Sequence, residues 1–173
     1  VYKRQELQED LKHVEYFEFT GGEPFMIKDH FKILMHCVEK GYAKNIDIHY
    51  NTNGTQLPPQ EIFDLWSCFK HVEVAFSIDD VGEPFEYQRH PANWREVNAN
   101  LIKFKERRTS NMDFQICTTV SMFNVFNWAK IALWVAQYQP IFFYVMTCFV
   151  PDYFNIQTLP KQVKDIVNTR YGM

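Results

Sequence analysis

The sequence predicts an α/β protein built on one parallel sheet. Short apolar or aromatic stretches of strand character alternate with segments of helical period. The alternation repeats about every 30 residues, and strict βα alternation requires a parallel sheet with right-handed crossovers. Glycine, asparagine and proline follow the strand stretches, as in Gly21-Gly22, Asn53-Gly54 and Asp79 onward, and turn the chain where α/β folds collect their ligands.

The elements follow in order. Val14 to Thr20 reads as a strand, stopped by two glycines and Pro24, which has no N–H to extend a ladder. Lys28 to Glu39 reads as a helix with Phe31, Leu34, Met35 and Val38 at i, i+3, i+4, i+7, and Gly41 as its stop. Asn45 to Asn51 is a strand with Ile46, Ile48 and Tyr50 on one face, ended by the Asn53-Gly54 turn. Pro58-Pro59 opens a helix through Phe69 with Ile62, Leu65, Trp66 and Phe69 apolar. Val72 to Ile78 alternates as a strand. Asp79 to Pro91 reads as a longer loop, with Asn93 available to cap a helix over Trp94 to Arg107 striped by Trp94, Val97, Leu101 and Phe104. Met112 to Val120 is a strand, Phe126 to Tyr138 a helix, and Ile141 to Phe149 a strand apolar on both faces, as in a buried parallel sheet. Pro160 to Tyr171 closes as a helix. The expected strand ends are Thr20, Asn51, Ile78, Val120 and Phe149. A single domain covers residues 1–173, with no linker or low-complexity tract.

Composition narrows the function classes. The 46% hydrophobic and 17% aromatic content supplies a substantial core, and the net charge of -3 gives no electrostatic case for nucleic acid. Arg107-Arg108 reads as a solvated helix end. No apolar run reaches the roughly 18 residues of a membrane span. The start, Val1-Tyr2-Lys3-Arg4, runs into a charged helical segment without signal-peptide character. Cys37, Cys68, Cys117 and Cys148 are well separated, so each is expected to be a reduced core thiol and none a metal ligand, which fits a cytoplasmic setting.

The segment Phe17-Glu18-Phe19-Thr20-Gly21-Gly22-Glu23-Pro24 carries the strongest chemical signal. Adjacent glycines at a strand end admit a ligand against bare backbone, and Glu23 stands beside them. The same residues also suit a plain strand-to-helix turn. Asn53 offers a donor and an acceptor to a polar ligand, and equally suits a turn before Gly54. Asp79 fits ligand binding or a helix cap. Arg89 fits an anion or a surface ion pair. Thr118-Thr119 has strand propensity enough to explain itself.

Thr20-Gly21-Gly22-Glu23-Pro24 resembles the second-strand motif of the radical S-adenosylmethionine (SAM) enzymes. Further resemblances follow in order through Pro160. Thr52-Asn53-Gly54 is similar to the third-strand end that borders the SAM site. Ser77-Ile78-Asp79 resembles the fourth-strand Ser-x-Asp-Gly motif, with Asp80 where glycine is usual. Arg89 precedes a helix reaching Asn100-Leu101, and Thr119-Val120 with Asn124 resembles the fifth-strand pattern. Val150-Pro151 resembles the sixth strand's end. The resemblance implies a partial (β/α)6 barrel lacking its first unit. It implies SAM contacts at Gly21, Gly22, Glu23, Asn53, Ser77, Asp79, Arg89, Thr119 and Asn124. Glu23 would take the SAM amino group, Ser77 and Asp79 the ribose or methionyl group, and Arg89 the carboxylate.

The resemblance also implies a [4Fe–4S] cluster on three cysteines in a Cys-x3-Cys-x2-Cys loop after the first strand, and an external electron donor. This sequence has no such triplet. The expectation is therefore the SAM-binding fragment of a radical SAM enzyme, an oxidoreductase or transferase with the cluster ligands upstream, inactive by itself. It looks closest to members with a twitch or SPASM domain. The substrate is an unidentified peptide or small molecule. The rival expectation is a degenerate, non-catalytic interaction module. If the strands are adjacent, Glu23, Asn53, Ser77, Asp79 and Arg89 are expected around one cleft at the carboxyl edge. SAM affinity without cluster iron would be about millimolar, near -4 kcal/mol.

Overall fold

The computed structural model describes residues 11–172, so the charged helical segment expected at the start lies outside them. Five strands form one sheet in the order β1-β2-β3-β4-β5: β1 Tyr16–Phe19, β2 Asp47–Thr52, β3 His71–Ser77, β4 Met112–Val120 and β5 Phe142–Thr147. They run parallel. β1 pairs with β2 from Tyr16↔Asp47 to Phe19↔Tyr50, and β2 with β3 from Asp47↔His71 to Thr52↔Phe76. The observed carboxyl ends fall within two residues of the expected ones.

The helices are α1 Asp29–Glu39, α2 Gln60–Trp66, α3 Glu83–Gln88, α4 Trp94–Arg107, α5 Trp128–Tyr138 and α6 Lys161–Tyr171. α3 lies within the stretch read as a loop. Gly82, at φ +73, turns the chain into it, and Pro84 occupies the first turn, where a missing N–H costs nothing.

Two compact units divide the chain: one runs to Phe76 and adds Glu96–Gln115, the other takes Ser77–Arg95 and Ile116 onward. The first has an aromatic core. Phe63 packs on Trp66 and Phe104 with ring centroids 5.2 and 5.6 Å apart, and Phe76 packs on Phe104 at 5.6 Å. Val97, Leu101 and Phe104 of α4 are buried as their spacing predicts. α1 is rotated from its expected face: His30, Phe31, Leu34 and Cys37 are buried while Met35 is exposed. In the second unit, Ile131 and Val135 of α5 and Val167 of α6 are buried.

Two expectations are corrected. Only Cys37 is a core thiol; Cys117 and Cys148 are half-buried and Cys68 is exposed, just past α2, and none of the four is in a disulfide. Among the described strands β5 lies at the edge and is not buried: Phe142, Tyr144, Val145 and Met146 are exposed. An unbroken apolar run has the same pattern whether or not a neighbour covers it.

Beneath the Glu23 turn, His30 Nε2 lies 3.1 Å from the Tyr50 hydroxyl, and both residues are buried. Burial raises the Tyr50 phenol far above its usual range, an effect that the nearby Trp66 indole opposes. That contact stops short of a hydrogen bond, because Trp66 Nε1 is buried without a partner. Burial lowers the His30 pKa below its ordinary 6.5, against a hydrogen bond to the Ile27 carbonyl. The folded state therefore binds fewer protons than the unfolded one in the window just below pH 6.5. Stability from this group is complete above about pH 6.5 and is lost as pH falls toward the depressed value. Urea melts at pH 7.5 and 5.5 should show a smaller pH-dependent loss in His30→Gln than in the natural sequence. Equal losses would place the titration elsewhere.

Candidate functional site

In the first unit the site begins where β1 ends. Gly21 and Gly22 adopt φ +81 and +54, and a Cβ on either would meet nothing within 4 Å. Glycine is needed there for the backbone conformation, and the backbone stands open to a ligand. Glu23 then opens a 3-10 turn, Pro24–Met26, as its N-cap. Its Oε1 accepts from Thr52 Oγ1 at 2.7 Å and, more weakly, from Phe25 N at 3.4 Å; its Oε2 accepts from Asn53 N at 2.9 Å. The residue is 8% exposed. No ion pair to Glu23 occurs among the described residues.

Asn53 takes the turn role weighed for it. Its Oδ1 accepts from Thr55 N at 2.9 Å and Thr55 Oγ1 at 2.7 Å. Its main-chain N–H, not its side chain, holds Glu23. Gly54 sits at φ +76, where a side chain is strained and its Cβ would crowd Val97 Cγ1 at 3.0 Å. Thr52, quoted in the third-strand motif but given no role of its own there, is 1% exposed and links Glu23 to Gly54 N, 3.0 Å from its hydroxyl.

The second unit gathers Asp79, Arg89, Thr119 and Asn124. Asp79 Oδ2 accepts from Arg89 Nε at 2.8 Å and Nη2 at 2.7 Å, and Oδ1 accepts from Thr119 N at 2.8 Å. This is the ion-pair reading of Arg89, with the pair part-buried and not on the surface. It leaves Arg89 Nη1 uncommitted in these contacts. Asn124 is fully buried: Nδ2 donates to the carbonyls of Asp79 (2.6 Å) and Thr119 (2.8 Å), and Oδ1 accepts from Ser121 N (2.8 Å). With every polar hydrogen and its carbonyl in use, Asn124 acts on a ligand only by fixing Asp79 and Thr119. Ser77 ends β3 half-buried.

Asp80, where glycine is usual in the resembled motif, is fully buried. Its carboxylate accepts from Val81 N at 2.8 Å, Gln88 Nε2 at 3.2 Å and Asn127 Nδ2 at 3.0 Å. The positive φ in this turn belongs to Gly82, at +73. A cleft of about 380 Å³ is lined by Asp79, Thr119, Tyr87, Phe123, Phe154 and Cys148, among others. Phe123 meets Phe154 edge-on at 4.8 Å and Tyr87 at 6.0 Å. Those aromatics carry no local signal, since they come from separate elements.

No protein-family model matches the sequence, and no curated protein does. Solved structures do. Native anSMEcpe with bound S-adenosylmethionine and Cp18Cys peptide is 22% identical, over 82% of this chain and 42% of that one, with a TM-score of 0.64. The fold is that of the radical SAM enzymes. SuiB from Streptococcus suis, bound to S-adenosylmethionine, is 16% identical over 99% of this chain and 39% of its own, at 0.63. Coproporphyrinogen III oxidase (HemN) from Escherichia coli, described as a radical SAM enzyme, is 14% identical over 98% and 43%, at 0.60. This chain thus spans less than half the length of each of these radical SAM-fold proteins. Among the described residues no group of three or more His, Cys, Asp or Glu is placed to hold a metal ion, so they do not furnish an iron–sulfur site.

Proposed function

We propose that this chain is the SAM-binding core of a radical SAM enzyme, whose [4Fe–4S] cluster is held by residues outside those described. One observation carries the reading. Glu23 is a nearly buried carboxylate, oriented by Thr52 and Asn53, with no cation among the described residues to neutralise it. Burying such a charge costs several kcal/mol unless it is paired. An ammonium arriving over the open Gly21-Gly22 backbone supplies the missing charge and three donors.

SAM carries that ammonium on its methionyl end. Bound with a reduced cluster, it supplies a 5′-deoxyadenosyl radical for hydrogen abstraction. Within the second unit, the Asp79–Arg89 pair offers polar contacts of its own to such a ligand. Asp79 keeps lone pairs for a ribose hydroxyl, and Arg89 Nη1 is free for a carboxylate, with Ser77 and Thr119 beside them. The Tyr87, Phe123 and Phe154 faces of the cleft suit an adenine ring. Two of the similar structures contain peptides, the Cp18Cys peptide in one and the precursor peptide SuiA in the other, which supports a peptide as the substrate class. Four cysteines outside any disulfide fit a reducing, cytoplasmic setting. No described helix is long and apolar enough to cross a membrane.

Calorimetry or NMR titration on this chain tests the reading. S-adenosylhomocysteine retains the amino acid end and 5′-methylthioadenosine lacks it. The first should bind at least about tenfold more tightly, the factor for about 1.4 kcal/mol. Equal affinities, or no binding of either at 10 mM, would overturn the assignment.

A further inference from the structure

We propose that His49 and Glu73, supported by Gln115, form a proton-transfer site on the polar face of the sheet in the first unit. Burial alternates along β2, so Ile48, Tyr50 and Thr52 are buried while Asp47, His49 and Asn51 stay half-buried on the opposite face. β3 repeats the pattern with Val72 and Val74 against His71 and Glu73. The register places Glu18, His49 and Glu73 in one row across β1, β2 and β3.

His49 Nδ1 lies 2.8 Å from Glu73 Oε1, and Gln115 Nε2 donates to the same oxygen at 3.0 Å. A carboxylate only accepts, so in the neutral ring the hydrogen sits on Nδ1 and Nε2 carries the lone pair. Nε2 has no hydrogen-bond partner among the described residues. Side-chain exposures of 15% for His49 and 26% for Glu73 leave the pair reachable yet shielded enough for Glu73 to act at low dielectric. His71 on β3 and Asp113 on β4 form a contrasting pair on the same face. That pair is longer, at 3.2 Å, and Arg108 shares the carboxylate at 3.3 Å, drawing off its charge. Among the described residues Glu73 is shared only with a neutral amide.

In the step the site would perform, Nε2 takes a proton from a weak X–H acid. The Nε2–H bond forms, X–H breaks, and the electron pair stays on X. Glu73 stabilises the imidazolium, which later releases its proton to water. The charged groups on this face are Glu18 from β1, Asp47, bound to Lys70 at 2.7 Å, and Asp113, which pairs with His71 and Arg108. Burial, then Glu18, Glu73 and Asp47 in turn, raise the Tyr16 phenol, so the surroundings are negative. They repel anions, which makes the substrate class a neutral or cationic X–H acid. None of this depends on the cofactor reading.

The probe is 5-nitrobenzisoxazole, whose C–H proton is removed as its N–O bond breaks to give a coloured phenolate. The chain should accelerate this reaction at least about 100-fold over an equal concentration of imidazole. His49→Ala should abolish the acceleration and Glu73→Gln lower it about tenfold or more, with far-UV circular dichroism unchanged. His13→Ala, an exposed histidine, should leave it intact. No acceleration by the natural sequence, or acceleration that survives Glu73→Gln in full, overturns the proposal. Should His49→Ala fail to fold, the Glu73→Gln result decides.

Discussion

Asp80→Ala is expected to destabilise the chain by about 3 kcal/mol in urea unfolding. Two effects oppose each other. The fully buried carboxylate has no cation among the described residues, so its removal recovers desolvation energy of several kcal/mol. Against that, Val81 N, Gln88 Nε2 and Asn127 Nδ2 lose an acceptor. Hydrogen bonds to a charged group are worth about 1.5–3 kcal/mol each, so three outweigh the recovery. Gln88 keeps its bond to the Pro84 carbonyl, which softens the loss by one partner. Asp80→Asn retains one acceptor oxygen and should fall in between, at about 1–2 kcal/mol. An Asp80→Ala loss under about 0.5 kcal/mol would mean the three donors find water, and Asp80 does not organise this part of the chain.

The strands were legible because each is closed by residues with one physical meaning. Gly21-Gly22 and Pro24 cannot continue β1, and Asn53-Gly54 cannot continue β2. α3 was not legible, because Gly82 and Pro84 punctuate loops and helix starts alike. β5 was assigned as a strand correctly and as buried wrongly, since coverage is a property of neighbours and not of the run itself. At the site, Glu23 stood out from its place beside two glycines. Its partner Thr52 did not, because residues 23 and 52 meet only through the β1–β2 pairing. The Asp79–Arg89 pair spans ten residues and depends on α3 to bring it together, which no periodicity announces. Asp80 was visible as a departure from the resembled motif. Its partners, Gln88 and Asn127, are set by tertiary packing. The same holds for His49 and Glu73, two unremarkable polar positions until the register sets them side by side.

Glu23→Gln should leave the fold in place and remove the amino-group site. The side chain keeps its length, and one amide oxygen still accepts from Thr52 Oγ1 or Asn53 N. The amide nitrogen then faces a donor it cannot satisfy, a cost of about 1 kcal/mol. Discharging a carboxylate that is 8% exposed and without a described cation offsets part of that. Unfolding free energy should therefore change by less than about 1 kcal/mol. Ligand binding should change by more. A charge-assisted hydrogen bond to an ammonium is worth about 1.5–3 kcal/mol, a factor of roughly 10 to 150. From an affinity of about 1 mM, S-adenosylhomocysteine binding would leave the measurable range. 5′-Methylthioadenosine has no amino group and should bind both proteins alike, which separates loss of one contact from general damage to the site. If the variant binds S-adenosylhomocysteine as well as the natural sequence does, the buried carboxylate serves the turn alone. The cofactor assignment then loses the residue on which it chiefly rests.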